Sequence, residues 1–194
     1  MESIYGDHYD KLMAFKDSLK EKIDEMEKTI EAVYETNIID HTMVRIKSAE
    51  SVLKKCANKG IVPTPDNIVS NIHDVIGIRV VCTFLDDTFK VRDAVRGFTG
   101  IKIVEEKDYI TKAKSNGYRS YHMIVRNEDG YYAEIQIRTI SMDMWAALEH
   151  DIKYKNDIKV NKELITAELK RCADELASTD ISMQTIRNMI YGHM

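Results

Sequence analysis

Residues 118–139, reading YRSYHMIVRNEDGYYAEIQIRT, gather the side chains best suited to chemistry. They read as two alternating runs joined at Asn127-Glu128-Asp129-Gly130, where Asp-Gly supplies the positive φ of a tight hairpin turn. Strand side chains alternate between faces, so Ala133, Ile135 and Ile137 close onto a core while Tyr132, Glu134, Gln136 and Arg138 point the other way. A carboxylate, an amide and a guanidinium in one row make either a solvated sheet face or a site for a polar ligand. Two other groups bear on that choice. The β-branched run 73–84 reads as a nearly buried strand with Asp74 at its start and Arg79 inside it, and a buried arginine is costly unless it is paired or faces a polar ligand. Arg45, Lys47, Lys54, Lys55 and Lys59 are interrupted only by Glu50, in a chain of net charge −4. On a single helix from about Asp40 to Gly60, several of these cations share a face, either solvated or built for polyphosphate.

The elements that must position these groups follow from pattern. Residues 5–34 carry apolar side chains three and four apart (Tyr5, Tyr9, Leu12, Leu19, Ile23, Met26, Ile30, Val33), broken only at Lys16, and predict a long amphipathic helix. Asp66 is read as the cap of a short helix leading into the strand at 73–84. A crossover helix over 86–98 and a strand over 101–105 follow. A Lys-rich loop over 107–116, turning at Ser115-Asn116-Gly117, then leads to the hairpin. Helical spacing returns at 141–154 through Met144, Trp145, Leu148 and Ile152, and again at 160–190 with an interruption expected at Ser178-Thr179-Asp180. Trp145, Tyr121, Tyr131 and Tyr132 are assigned to packing and His150 to a structural hydrogen bond. The fold class is α+β: a mixed sheet of about five strands flanked by helices.

With 194 residues, 44% hydrophobic, the chain supports one sizeable core. Its two prolines, Pro63 and Pro65, and the lack of a Gly/Ser-rich linker argue for one domain: an N-terminal helix within 1–38, a catalytic core over 40–156 and a C-terminal helix within 158–194 serving oligomerisation. No apolar run reaches a membrane span and no leader is visible, so a cytoplasmic protein is expected. Cys56, Cys82 and Cys172 sit in apolar patterns, as buried small hydrophobes do. The acidic balance argues against general affinity for DNA.

Together, Asp74-Val75-Ile76-Gly77-Ile78-Arg79, Asp108-Tyr109-Ile110, Lys114-Ser115-Asn116-Gly117-Tyr118-Arg119-Ser120-Tyr121-His122, Glu134-Ile135-Gln136-Ile137-Arg138-Thr139 and Trp145-Ala146-Ala147-Leu148-Glu149-His150 closely resemble the synthetase domain of Rel/SpoT-type alarmone synthetases. The length resembles that of the stand-alone small alarmone synthetases. The resemblance covers about residues 42–155, and the flanking helices share only the family's character. It implies a nucleotidyltransferase-like fold and transfer of pyrophosphate from ATP to the ribose 3′-hydroxyl of GDP or GTP, giving ppGpp or pppGpp and AMP. By position, Asp74 and Glu134 are expected to hold Mg2+, with Glu134 also taking the 3′-hydroxyl proton. Arg45 and Arg79 would sandwich the adenine, while Lys47 and Lys55 bind the ATP phosphates. Tyr118 would stack on guanine, His122 sit by the guanosine phosphates, and Asp143 read the N1 and N2 donors of guanine; Lys114 and Gln136 complete the guanosine site.

A homotetramer is implied too, with an allosteric nucleotide or single-stranded RNA as further partners to consider. The chain departs from many relatives at Ala57-Asn58, where more basic residues are common, and at Glu105-Glu106-Lys107, which leaves the choice between GDP and GTP open. A metal-dependent hydrolase needs a further domain, so synthetase activity alone is expected. Two other readings stay in view: a module that senses nucleotides or binds single-stranded RNA, and a relative that modifies another acceptor such as an adenosine nucleotide or tRNA. Intact Asp74 and Glu134 favour the enzyme.

Overall fold

A computed structural model describes residues 4–34, 36–154 and 161–192. Strands β1 (Ile39–Ile46), β2 (Ile76–Cys82), β3 (Ile101–Asp108), β4 (Tyr121–Asn127) and β5 (Tyr132–Thr139) form one mixed sheet in the order β1-β2-β5-β4-β3. The expected mixed five-strand sheet is therefore present. The parallel pair is β2 and β5, and the other neighbours run antiparallel. Parallel neighbours need a crossover, which is supplied by α4 (Leu85–Arg96), β3 and β4. The remaining helices are α1 (Tyr9–Tyr34), α2 (Ala49–Lys59), α3 (Pro65–Asn71), α5 (Ile140–Tyr154) and α6 (Lys162–Tyr191). No helix among the described residues is long and apolar enough to cross a membrane.

Register explains why one sheet face is core and the other is open. Ile76, Ile78 and Val80 of β2 pair with Ala133, Ile135 and Ile137 of β5, which pair in turn with Val125, Met123 and Tyr121 of β4. All nine are buried, together with Val52, Cys56, Ile68, Ile72, Val91 and Val95 from α2, α3 and α4. The intervening residues of the same strands are forced onto the opposite face.

Several expectations need correction. The single helix from Asp40 to Gly60 is instead β1 followed by α2. β1 pairs along its length with β2, and Ser48 then caps α2 by accepting from the Ser51 N–H. Residues 40–46 read as a cationic helix face because an edge strand carries charged outward side chains. Thr64, not Asp66, caps α3, with Pro65 in the first turn; Asp66 instead lies 2.8 Å from His8 Nε2. In α1 the row is completed by buried Phe15, whereas Tyr9 and Val33 are exposed. On α5, Trp145 is buried as expected, but Met144, Leu148 and Ile152 face outward.

The helix expected over 160–190 starts, among the described residues, at Lys162 and runs through Ser178-Thr179-Asp180 without a break. Thr179 and Ser182 hydroxyls donate to carbonyls one turn back, which lets polar residues remain helical. This helix is fastened along its length. The Trp145 indole N–H donates to the Leu169 carbonyl (2.9 Å), and Arg119 pairs with Asp174. Asp180 accepts from the hydroxyls of Thr139 (2.6 Å) and Ser141 (2.5 Å), and Arg187 pairs with Asp86 and Asp87. Gly117 fits beneath it at φ +92°; a Cβ there would lie 2.6 Å from the Ala173 Cβ.

Candidate functional site

Two rows of side chains cross the open face. One runs Arg45, Gly77, Glu134, Ile124, Glu105, and the next Met43, Arg79, Gln136, His122, Lys107. Alternation on each strand, together with register between strands, thus brings residues from five separate stretches onto one surface.

On the β1 side, Arg45, Lys47, Asp74, Arg79, Glu134 and Gln136 line a cleft floored by Gly77. Lys47 follows β1, where its N–H donates to the Val75 carbonyl (2.8 Å) and its own carbonyl accepts from the Tyr5 hydroxyl (2.7 Å). Those bonds aim its ammonium at Asp74. Lys55 reaches the same oxygen from α2, so Asp74 Oδ2 is paired with Lys47 and, at 2.7 Å, with Lys55. Asp74 Oδ1 is buried with no hydrogen-bond partner. Burial pushes the Asp74 carboxyl up, but the two lysines outweigh it and hold the group below its ordinary value. Burial, together with Tyr5's proximity to Asp74, pushes the Tyr5 hydroxyl up to about 12.

Across Glu134 a closed ring of hydrogen bonds occupies the sheet centre. A carboxylate only accepts, so His122 Nδ1 donates to Glu134 Oε1 (2.9 Å). In the neutral imidazole Nε2 then accepts from the Tyr118 hydroxyl (2.8 Å), whose oxygen accepts from Arg138 Nη2 (2.5 Å). Arg138 Nη2 also donates to Gln136 Oε1 (2.7 Å), and Gln136 Nε2 donates to Glu134 Oε2 (2.7 Å), closing the circuit. Arg138 is only 4% exposed. Its other donors go to Ser120 Oγ (3.3 Å) and Asp143 Oδ1 (3.1 Å). Burial pushes the Glu134 carboxyl up, while His122 and Gln136 more than offset this and leave it lowered.

Beyond the ring lies a second hollow lined by Glu105, Lys107, Tyr109, Lys114, His122 and Glu134. The Lys114 ammonium stands 4.5 Å from the Tyr109 ring and 4.8 Å from the Tyr118 ring. Glu134 walls both hollows, so a group held in one can approach a group held in the other.

The sequence profile of the region found in RelA and SpoT proteins matches residues 44–159. The chain is 36% identical over 200 aligned residues to GTP pyrophosphokinase YwaC of Bacillus subtilis (strain 168), covering 98% of this chain and 95% of that one. Identity to GTP pyrophosphokinase YjbM of the same organism is 31% over 159 residues, covering 78% and 74%. This chain belongs to the RelA/SpoT family. Among solved structures, small alarmone synthetase 1 from B. subtilis bound to pppGpp matches with a TM-score of 0.79 at 29% identity, over 92% of this chain and 93% of that one. Small alarmone synthetase 2 from B. subtilis matches at 0.77 and 35%, over 94% and 100%.

In this RelA/SpoT-family chain the residues singled out by sequence fall into connected groups. Arg45, Lys47, Asp74, Arg79, Glu134 and Gln136 share the first cleft, and Lys55 joins them through Asp74. Lys114, His122 and Glu134 share the second hollow. Tyr118 touches it through His122 and Lys114. Asp143 meets both groups, through Arg79 (3.0 Å) and Arg138 (3.1 Å). Lys54 and Lys59, expected on the same cationic face, are exposed, with Lys59 turned to the Asn71 carbonyl. The polar residues of the site that were missed include Arg138, Glu105, Lys107 and Tyr109. Alternation already placed Arg138 on the face of Glu134 and Gln136. An arginine set between Ile137 and Thr139 in an apolar strand is the signal that it needs buried partners.

Proposed function

We propose that this protein transfers a pyrophosphoryl group from ATP to the 3′-hydroxyl of GDP or GTP, producing ppGpp or pppGpp and AMP. The observation carrying this reading is that Glu134 forms the common wall between a cationic cleft and a second cationic, tyrosine-lined hollow. The named activity of relatives covering nearly the whole chain supports it. Arg45 and Arg79 offer guanidinium planes to a base, and Lys47 and Lys55 offer ammonium groups to phosphates. Tyr118 and Lys114 offer a ring and a charge to the guanosine nucleotide, and His122 and Gln136 line its approach to Glu134.

Mg2+ fits the donor set. Asp74 Oδ1 lacks a partner inside the protein, and a hard cation that keeps water and phosphate ligands needs no more than one or two carboxylates. Asp74 and Glu134 would hold it, and the ion would supply charge neutralisation between the two polyphosphates. In the transfer the 3′-oxygen bonds to the β-phosphorus, the bond from that phosphorus to the oxygen bridging the α-phosphate breaks, and AMP leaves with that oxygen. Glu134, ionised at neutral pH, accepts the 3′-hydroxyl proton, and His122 and Gln136 fix its two oxygens toward the work. Lys47 and Lys55 exchange Asp74 for ATP phosphates.

The described part of α6 leaves Ile181, Met183, Ile186, Met189 and Ile190 exposed, and α5 leaves Met144 and Leu148 exposed. Apolar surface of that extent supports self-association, with a cytoplasmic homotetramer the form we propose. The deciding experiment supplies ATP and Mg2+ with GDP, GTP, AMP or tRNA in separate reactions, following AMP release and the product. Transfer to GDP or GTP supports the reading. Nucleotide binding without turnover, or transfer only to AMP or tRNA, refutes it. Light scattering that finds a monomer at micromolar concentration refutes the assembly.

A further inference from the structure

Asp143, in the first turn of α5, stands where the two halves of the site meet. Its Oδ1 forms an ion pair with Arg79 Nη1 (3.0 Å), a residue lining the β1-side cleft, and accepts from Arg138 Nη1 (3.1 Å), the other terminal nitrogen of Arg138 holding Tyr118 and Gln136. Arg79 is loosely held apart from this contact. Its Nη1 reaches only the Met43 sulfur, at 4.0 Å, and its Nε is buried without a partner. Burial and repulsion from Arg138 and Arg45 disfavour its charge, and Asp143 is the carboxylate that opposes them. One carboxylate is therefore shared by two guanidinium groups, one from each half.

We propose that Asp143 couples the two nucleotide sites, so that a base seated against Arg79 tightens the binding of a guanosine nucleotide beyond Arg138, and the reverse. The inference rests on the proposed function for the assignment of the two halves. A guanidinium stacks through its face and hydrogen-bonds through its edge, so Arg79 can hold a base and Asp143 at once. Stacking fixes the Arg79–Asp143 pair, and a fixed Asp143 presents its second oxygen to donors on the neighbouring ligand. The ordering of this pair is then completed once for both ligands, and the resulting enhancement is the same in either direction.

The test is calorimetric, on the full chain with Mg2+, using GDP and an ATP analogue with a methylene between the α- and β-phosphates. Each ligand is titrated alone and against protein saturated with the other. The unsubstituted protein should bind GDP about 5- to 30-fold more tightly when the analogue is present. Asp143→Asn should weaken the analogue alone several-fold and reduce the enhancement to less than about twofold. A residue that only touches the guanosine ligand would weaken GDP and leave the analogue unmoved. Arg79→Lys, which keeps the charge but cannot stack and hydrogen-bond together, should lose the enhancement while binding GDP alone normally. No enhancement in the unsubstituted protein, or an enhancement that survives in both variants, overturns the coupling and leaves the proposed function standing. Failure of either nucleotide to bind the unsubstituted protein overturns both.

Discussion

Replacing Arg138 by methionine keeps a long apolar side chain and deletes the guanidinium that closes the ring. Four contacts go: to Ser120, Asp143, Tyr118 and Gln136. Removing one partner of a buried ion pair costs ~3–5 kcal/mol when the other charge is stranded. Asp143 is not stranded, because Arg79 remains and the carboxylate is 16% exposed, so the expected loss is about 2–3 kcal/mol. For a chain of this size that lowers the melting temperature by roughly 4–12 °C, measured at fixed protomer concentration because assembly adds to stability. Tyr118 and Gln136 also lose their shared donor. One charge-assisted hydrogen bond is worth ~1.5 kcal/mol, or about tenfold in GDP affinity, whereas the analogue of ATP should bind nearly as before. Thermal melting and calorimetry read the two effects separately, with exposed Arg126→Met as a control expected within ~0.5 kcal/mol of the parent. A variant that melts within a degree of the parent and binds GDP equally would show that the ring neither holds the fold nor presents the base-binding side chains.

Gly117→Ala should cost ~2–4 kcal/mol, since it combines a left-handed φ with a Cβ driven into Ala173, whereas Gly60→Ala, at φ +66° in open space, should cost only ~1–2 kcal/mol; equal melting temperatures for the two would contradict the close packing of α6 on the loop. His122→Ala removes a donor that holds the Glu134 carboxyl low while leaving its burial, so Glu134 should protonate at higher pH. The acid limb of kcat/KM should therefore move upward in the variant relative to the parent; an unmoved limb would remove His122 from control of that carboxylate. Asp180→Ala strips the buried Thr139 hydroxyl of its acceptor and should cost ~1–3 kcal/mol, seen as a lower urea midpoint; an unchanged midpoint would mean that this tie contributes nothing.

The hairpin was legible because period-two alternation and an Asp-Gly turn are local signals, and they carried Glu134, Gln136 and Arg138 to one face together. β1 was not legible. Its outward residues are Asp40, His41, Met43 and Arg45, and charges on an edge strand imitate the polar face of a helix. Reading it as helix placed Arg45 and Lys47 on one face with Lys54 and Lys55, whereas pairing with β2 sets Arg45 opposite Gly77 and turns Lys47 to Asp74. The expected break at Ser178-Thr179-Asp180 failed for a related reason: the Thr179 hydroxyl and the Asp180 carboxylate have partners that local propensity does not see. The ring itself could not be read, because its members gain their bonds only through the register of β4 against β5 and the loop that brings Tyr118 back over them.

The fastening of α6 also has a meaning in the time domain. Every side chain of the two hollows lies between residues 43 and 143, yet the contacts that brace their loops come from Leu169, Ala173, Asp174 and Asp180. A chain is synthesised from its N-terminus at ~5–20 residues per second, so a nascent protein exposes all of its reactive groups before the helix that steadies them exists. The side chains of both hollows are thus made first and their braces last, so the loop at Gly117 and the turn at Thr139 gain their packing and their carboxylate partner only once α6 has formed.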